Sequence, residues 1–284
     1  MKLTKDSTYT LSNGVEIPMV GFGTWQTPDG AVAKQAVLDA LAAGYRHIDT
    51  AAVYKNEESV GHGIAESGIP REEIFVTTKL WNTVHTYDAA KEALATSLSK
   101  LGLDYLDLYL IHFPSPLEIR DNWEARNKEV WRYMEDALEQ GLVRSIGISN
   151  FHERHIEALL KTAKIIPHAN QICSSPSDYQ PEIVEVNNKY NILTQAYSPL
   201  GTGTLTELPE LQIIAEKYGK TPSHLALRWS LQKGFNPLPK SVTSSRIVAN
   251  LDLFDFELTD EDMKAIDGLV GTGKTSDNPD ELPF

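Results

Sequence analysis

Short apolar runs alternate with longer amphipathic stretches along this chain of 284 residues. The runs have the length and composition of buried strands, and we predict eight of them. They cover residues 19–23, 45–49, 74–79, 106–112, 143–149, 168–172, 192–198 and 235–241, the last of which is weakened by its prolines. Ahead of them, TYTLSNGVEIP (8–18) places a polar Ser-Asn-Gly turn between alternating segments and predicts a β-hairpin.

Between the runs, apolar residues recur with the period of a helix. Residues 31–44 and 88–102 each end in a glycine C-cap, and residues 221–234 begin with Thr-Pro, an N-cap followed by a first-turn proline. Repeated strand–helix units predict an α/β protein with a single domain over residues 1–284. The expected fold is a (β/α)₈ TIM barrel with the N-terminal hairpin closing the barrel bottom. A doubly wound sheet is the competing architecture, but GFGTWQ lacks the third glycine of a dinucleotide fingerprint.

The composition and net charge of the chain argue against several classes of binding partner. A net charge of −13 argues against nucleic acid or an anionic membrane as the main partner. No apolar run approaches the length of a membrane span, and the first residues have no apolar core typical of a signal peptide. Cys173 is the only cysteine, so no internal disulfide is possible. We expect a cytoplasmic monomer that acts on a small molecule and uses no metal.

Ionisable residues stand where the predicted strands end. The second strand ends in Asp49, the third in Lys79 and the fourth in His112, and Tyr54 follows the second strand in its loop. The carboxyl ends of the strands of such a barrel meet around one mouth, where catalytic groups are found. We therefore expect these four side chains to meet.

Together the four groups suit the reduction of a carbonyl compound. A lysine ammonium beside a phenol favours the phenolate, so we expect Lys79 to lower the pKa of Tyr54 and Asp49 to keep Lys79 charged. His112 could then orient the substrate oxygen. Taken singly, each residue has an ordinary structural interpretation: a packing tyrosine, a buried ion pair, a hydrogen-bonded histidine.

The segment PLPKSVTSSRIVANL (237–251) predicts a phosphate site after the last strand. Lys240 ends the strand, and Ser244 is the expected N-cap of a short helix that carries Arg246 and Asn250. Barrels favour phosphate binding at this location, and the two cations suit a 2′-phosphate, hence NADPH over a weaker NADH. The alternative is a solvated basic turn.

Four segments resemble conserved blocks of the aldo-keto reductase family, similar to its bacterial 2,5-diketo-gluconate reductase-like members. They are GYRHIDTAAVYKNEESVG, LDLYLIHFP, IPHANQI and PKSVTSSRIVAN. The similarity extends from the hairpin to about residue 267. It implies an NADPH-dependent oxidoreductase that reduces aldehydes or ketones to alcohols.

The resemblance also implies roles for single residues. Asp49, Tyr54, Lys79 and His112 would form the catalytic tetrad, with Tyr54 as the proton donor. Residues that would contact the cofactor are Gly23, Thr24, Trp25, Asp49, Ser149, Asn150, Gln171, Tyr197, Ser198, Leu200, Gly201, Lys240, Ser241, Val242, Thr243, Arg246 and Asn250. Within that set, Tyr197 would stack on the nicotinamide ring. The substrate pocket would be lined by Trp25, Tyr54, Trp81, His112 and Phe113, together with the C-terminal tail.

Some segments depart from the family pattern. Residues 173–176 read Cys-Ser-Ser-Pro where the family usually has an acidic residue and an aromatic–His–Pro run. Ala249 replaces the Glu or Gln that many members direct at the adenine. Residues 115–131 are charged and are expected to form a surface loop entering a helix. The short polar tail, residues 271–284, is expected to leave an open substrate pocket.

Two other functions stay open from the residues alone. A barrel aldolase could form a Schiff base on Lys79, although that chemistry needs a neutral amine and Asp49 would keep the lysine charged. A non-catalytic or regulatory NADPH-binding barrel is the other alternative.

Overall fold

The computed structural model describes residues 3–273 and 276–284. Each of the eight apolar runs overlaps a strand, and the predicted hairpin is present ahead of them. The strands are β1 (Thr8–Thr10), β2 (Glu16–Pro18), β3 (Phe22–Gly23), β4 (His47–Asp49), β5 (Phe75–Leu80), β6 (Leu108–Ile111), β7 (Ile146–Ser149), β8 (Ala169–Cys173), β9 (Leu193–Tyr197) and β10 (Asn236–Leu238).

The strands β3 to β10 form one parallel sheet in the order of the sequence. Its two edges meet, because the amides of Gly21 and Gly23 donate to the carbonyls of Pro237 and Pro239, each at 3.0 Å. A Cβ on Gly21 would lie 2.4 Å from the ring of His47, so only glycine permits this approach. The predicted TIM barrel is confirmed.

The hairpin of β1 and β2 covers one end of the barrel. Ile17 is fully buried and packs in one cluster with Phe75, Leu108 and Ala169, the first residues of β5, β6 and β8. These are the amino ends of the strands, so the hairpin closes the bottom and leaves the carboxyl ends at the other mouth.

Helices follow the strands and surround them. They are α1 (Ala31–Ala43), α2 (Glu57–Glu66), α3 (Tyr87–Leu101), α4 (Trp123–Glu139), α5 (Glu153–Leu160), α6 (Pro181–Lys189), α7 (Pro209–Tyr218), α8 (Pro222–Gln232), α9 (Ser244–Ala249) and α10 (Asp260–Asp267). Short 3₁₀ helices cover Ala52–Tyr54, Arg71–Glu73, Leu117–Asn122 and Gly201–Glu207. No helix within the described ranges is both long and apolar enough to cross a membrane.

Most of the predicted helix ends are confirmed. Gly44 and Gly102 adopt left-handed conformations after α1 and α3, and the Thr221 side chain accepts the amide of His224 at the start of α8. The prediction of Ser244 as the cap of α9 was wrong by one residue. Its place is taken by Thr243.

Thr243 is the N-cap because a hydrogen bond within residues 241–243 fixes the turn that precedes the helix. The Ser241 hydroxyl accepts the Thr243 amide at 3.0 Å. The Thr243 carbonyl then accepts the amides of Arg246 and Ile247, both at 3.0 Å, so the helical bonds start from Thr243.

The expected surface loop entering a helix over 115–131 is present, but two polar residues of its helical part are buried. A 3₁₀ helix over Leu117–Asn122 does lie at the surface, but α4 begins at Trp123 and turns two polar residues inward. Arg126 and Asn127 are 3% and 1% exposed.

Candidate active site

The alternation of side chains along β5 directs a lysine into the barrel mouth. Thr77 contacts His47 inside the barrel, and Lys79, two residues on, contacts Asp49. Thr78 between them points outward and donates to Glu57 of α2 at 2.7 Å. A lysine at this position of a strand that is buried throughout therefore enters the mouth, not the solvent.

Three of the four predicted catalytic side chains form a hydrogen-bonded chain. The Lys79 ammonium donates to Asp49 Oδ1 at 2.7 Å, to the Thr50 carbonyl at 2.9 Å and to Tyr54 Oη at 3.3 Å. These bonds use all three N–H groups of a lysine that is 0% exposed. Tyr54 ends the 3₁₀ helix after β4, so its hydroxyl returns to the strand ends.

Asp49 has a second partner that the sequence analysis did not assign to it. Its Oδ2 atom accepts from Gln171 Nε2 at 2.8 Å. Gln171 also donates to Gln195 at 3.3 Å, and Gln195 donates to Asn236 at 2.7 Å. The signal was the presence of amide side chains within short strands predicted to be buried, and these amides are at most 1% exposed.

The expectation of a lowered pKa for Tyr54 was wrong in direction. Burial raises the pKa of Tyr54 well above 10, and the negative charge of Asp49 raises it further. Burial also lowers the pKa of Lys79, which the ion pair with Asp49 opposes. Because burial disfavours the phenolate and Asp49 offsets the charge of Lys79, the phenol keeps its proton in the resting site.

His112 directly follows β6 and lies beside the phenol. The rings of Tyr54 and His112 have centroids 5.9 Å apart in an edge-to-face arrangement. Burial lowers the pKa of His112 well below 6.5, and the charge of Lys79 adds to this shift, so the imidazole is neutral. Its Nδ1 atom is buried and has no hydrogen-bond partner among the described residues.

Three aromatic side chains beside His112 form a surface that we call the aromatic wall: Trp81, Phe113 and Phe284. The ring centroids of Trp81 and Phe113 are 6.2 Å apart, and Phe284 lies 5.6 Å from Trp81 and 5.3 Å from Phe113. Phe113 stacks on His112 with centroids 5.1 Å apart. The wall therefore borders the catalytic group directly.

The last residue of the tail borders the pocket that the short tail was expected to leave open. The carbonyl of Phe284 accepts the amide of Leu117 at 3.1 Å. Further back, Asp280 accepts from Arg154 and from His155, each at 3.0 Å. These bonds hold Phe284 against Trp81 and Phe113, which no pattern in the polar tail could indicate.

The residues predicted to hold the nicotinamide carboxamide are connected to one another. Ser149 Oγ donates to the Gln171 carbonyl at 2.7 Å, and Asn150 Nδ2 donates to the His112 carbonyl at 2.9 Å. Tyr197 donates to Asn150 Oδ1 at 2.9 Å. The structure thus brings these side chains together with the tetrad at one mouth.

The first loop is tied to the same centre. The amide and the hydroxyl of Thr24 both donate to the Asp49 carbonyl at 3.0 Å. Gly23 precedes it at the end of β3, and Trp25 follows with 44% of its surface exposed.

The predicted phosphate site after β10 carries the positive charge that the 2′-phosphate of NADPH requires. Lys240 donates to the Gln26 carbonyl at 3.1 Å, and Arg246 is exposed. Neither forms an ion pair with a carboxylate among the described residues. Two cations without acidic partners, next to exposed Val242 and Thr243, fit a phosphate group.

The other predicted cofactor residues flank this region. Ser198 and Gly201 have φ angles of 50° and 56°, which turn the chain sharply after β9, and Leu200 lies between them partly buried. Ser241 and Asn250 are mostly buried, at 9% and 8% exposure.

The segment that departs from the family pattern forms a tight turn. Cys173 ends β8 half-buried, and the Ser174 amide donates to the Tyr197 carbonyl at 3.2 Å. Ser175 and Asp178 then form an isolated bridge. Buried serines replace the usual aromatic run here and leave the contacts of the tetrad intact.

Comparison with known proteins agrees with this geometry. The sequence profile described as "Aldo/keto reductase family" matches residues 19–270. A glyoxal reductase of Bacillus subtilis is 44% identical over 284 residues, all of both chains. An aldo-keto reductase of Mycolicibacterium smegmatis is 47% identical over 275 residues, 97% of each chain. Among solved structures, a Bombyx mori aldo-keto reductase in complex with NADP has a TM-score of 0.88 at 41% identity, covering 96% of this chain and 95% of that one. The chain therefore belongs to the aldo-keto reductase family and is an oxidoreductase that reduces carbonyl compounds with NADPH.

Proposed function

We propose that Tyr54 donates the proton to the substrate oxygen in this reduction. NADPH, when bound, supplies the hydride to the carbonyl carbon. The observation that carries the proposal is the chain Asp49–Lys79–Tyr54, with contacts of 2.7 and 3.3 Å around a lysine that water does not reach. A phenol at the end of this chain keeps its proton until charge develops on the substrate oxygen.

Lys79 then has its effect in the transition state. When the proton leaves, the ammonium lies beside the forming phenolate and stabilises it in a site from which water is excluded. Asp49 holds Lys79 in place, and Gln171 holds Asp49 from the other side. The neutral His112 orients the oxygen by a hydrogen bond instead of competing with Tyr54 as an acid.

The cofactor is proposed to lie along the mouth from the tetrad to α9. Ser149, Asn150 and Gln171 would bind the carboxamide, and Tyr197 would stack on the ring. Gly23, Thr24 and Trp25 would line its near side, and Ser198, Leu200 and Gly201 would follow the pyrophosphate. The adenosine end would be held by Lys240, Ser241, Val242, Thr243, Arg246 and Asn250.

The proposed substrates are aldehydes, with small α-dicarbonyl compounds among them. The aromatic wall offers an apolar surface beside His112, and Phe284 narrows the space next to it. The glyoxal reductase relative supports the α-dicarbonyl class. Trp25 and the aromatic wall would contact the rest of the substrate.

NADPH oxidation with a panel of carbonyl compounds tests this assignment. Glyoxal, methylglyoxal and 4-nitrobenzaldehyde should each consume NADPH, and NADH should serve more slowly. Borohydride added with substrate should trap no adduct on Lys79. Absence of NADPH oxidation with every compound, or a trapped lysine adduct, would contradict the proposal.

The remaining proposals concern the state of the protein. We propose a single-domain monomer in the cytoplasm, in keeping with one barrel, a net charge of −13 and a single cysteine. Light scattering on the purified protein would measure the mass, and a dimer would contradict the monomer.

A further inference from the structure

Arg126 is a buried cation that the proposed chemistry does not use. It is the fourth residue of α4 and is 3% exposed. Its Nε donates to the Val84 carbonyl at 2.9 Å, and Nη1 donates to the Phe113 carbonyl at 3.2 Å and to Asn127 Oδ1 at 2.9 Å. Nη2 donates to the Trp81 carbonyl at 3.4 Å. No carboxylate of the described residues pairs with it.

Such a group is costly to bury, so its partners are informative. Burial lowers the pKa of Arg126 to about 9, and the side chain still carries its charge at neutral pH. The charge is stabilised by oxygen dipoles, three of which belong to the main chain. A planar guanidinium can hold several such oxygens in fixed directions, which a lysine or an apolar side chain cannot do.

The bonded carbonyls belong to two loops of the barrel mouth. Trp81 directly follows β5, and Phe113 follows His112 after β6. Asn127, the next residue of α4, extends the contact by donating to the Pro114 carbonyl at 2.9 Å. One turn of a helix outside the barrel therefore fixes the main chain of two of the three residues of the aromatic wall.

We propose that Arg126 is a positioning residue for substrate recognition, which fixes Trp81 and Phe113 from behind so that the aromatic wall keeps its place beside His112. This inference rests on the proposed function, since the wall is taken to contact the substrate. A substrate that packs a ring against the wall depends on Arg126. One too small to reach the wall does not.

The test compares Arg126→Gln and Arg126→Lys with a matched control, Arg132→Gln. Arg132 lies on the same helix, is half-exposed, and pairs with Glu129 at 2.9 Å at the surface. Steady-state constants are measured for glyoxal and for 4-nitrobenzaldehyde, with NADPH affinity from fluorescence quenching and cooperativity from thermal unfolding. Arg126→Lys retains the charge but loses the planar fork.

The expected result is a selective loss. Removing charge-assisted bonds to the wall should raise KM for 4-nitrobenzaldehyde about tenfold in Arg126→Gln and less in Arg126→Lys. The kcat/KM for glyoxal and the affinity for NADPH should stay within about twofold, as should every constant of the control. If the Arg126 variants do not fold, Asn127→Ala decides, with a smaller rise of about threefold for the aromatic aldehyde alone.

Two outcomes separate the inference from the proposed function. Equal losses for both aldehydes, or no change for either, in an active enzyme would overturn the role of Arg126 and leave the reductase proposal standing. A wild-type protein that reduces neither aldehyde would overturn the proposed function, and this inference with it.

Discussion

Two buried carboxylates lie at opposite ends of the barrel and have different surroundings. At the bottom, Asp107 accepts from Arg71 at 2.7 Å, from Arg144 at 2.8 Å and from the Val76 amide at 2.9 Å. Both arginines reach water, with 21% and 46% of their side chains exposed. Both oxygens of this carboxylate therefore have partners.

At the mouth, Asp49 is the first member of a hydrogen-bonded chain whose last hydroxyl has no acceptor among the described residues. Lys79 is fully buried, and the chain ends at Tyr54 Oη, which donates to no described residue. The ring of His112, whose centroid is 5.9 Å from that of Tyr54, also has a buried nitrogen, Nδ1, without a partner in the described part of the chain. A substrate carbonyl oxygen bound next to Tyr54, as proposed, would accept from this phenol and complete the hydrogen-bonded chain.

The largest effect expected to test this contrast is a loss of protein stability when the carboxylate at the bottom of the barrel is replaced. Asp107→Asn should lower the free energy of unfolding by about 3 kcal/mol, the lower end for a broken buried pair, because both arginines can still reach water. The kcat of the folded enzyme should not change. Denaturant unfolding and an activity assay measure the two quantities.

Glu66→Gln is the control for this substitution, since its pair with Lys34 is exposed. It should change stability by less than about 1 kcal/mol. A loss of activity in folded Asp107→Asn would mean that the two ends are not separate in function.

An intermediate effect is expected at the phosphate side. Arg246→Ala should weaken NADPH binding by about 10- to 100-fold, the value of a hydrogen bond to a charged group, and NADH binding by much less. Fluorescence titration with both cofactors measures this difference. Equal losses would reject contact with the 2′-phosphate.

The smallest effect concerns pH. Because the pKa of Tyr54 is raised above 10, its hydroxyl stays protonated across the neutral range. The proton is lost only as the pH rises through that higher pKa. The kcat/KM for reduction should therefore show no fall assignable to Tyr54 between about pH 6 and pH 9. A descending limb near pH 7 that disappears in Tyr54→Phe would show instead that Lys79 lowers the pKa, as the sequence suggested.

The fold and the meeting of the tetrad could be predicted because a parallel barrel brings strand ends together. Asp49, Lys79 and His112 follow from that rule once the strands are found. The direction of the pKa shift of Tyr54 could not be predicted. The direction depends on whether the burial of the phenol outweighs the charge of Lys79, which Asp49 already offsets. Both effects are set by distances and burial in the folded structure, which the sequence does not give.

Other features were hidden for related reasons. Arg126 lies in a charged segment, where nothing in the local pattern separates a buried arginine from its exposed neighbours. Phe284 packs against Trp81, a residue about 200 positions away, and periodicity carries no information on such a contact. The N-cap of α9 is Thr243 and not Ser244, because the Ser241 hydroxyl accepts the amide of Thr243 and fixes the turn before the helix.

The most direct test of the central claim is the turnover of Tyr54→Phe with saturating glyoxal and NADPH. The substitution keeps the ring beside His112 and removes only the hydroxyl that ends the chain from Lys79. We predict that kcat falls by about 10²–10⁴, the contribution of a positioned general acid, while the NADPH dissociation constant stays within about twofold. A variant that binds NADPH normally and turns over at nearly the native rate would contradict Tyr54 as the proton donor.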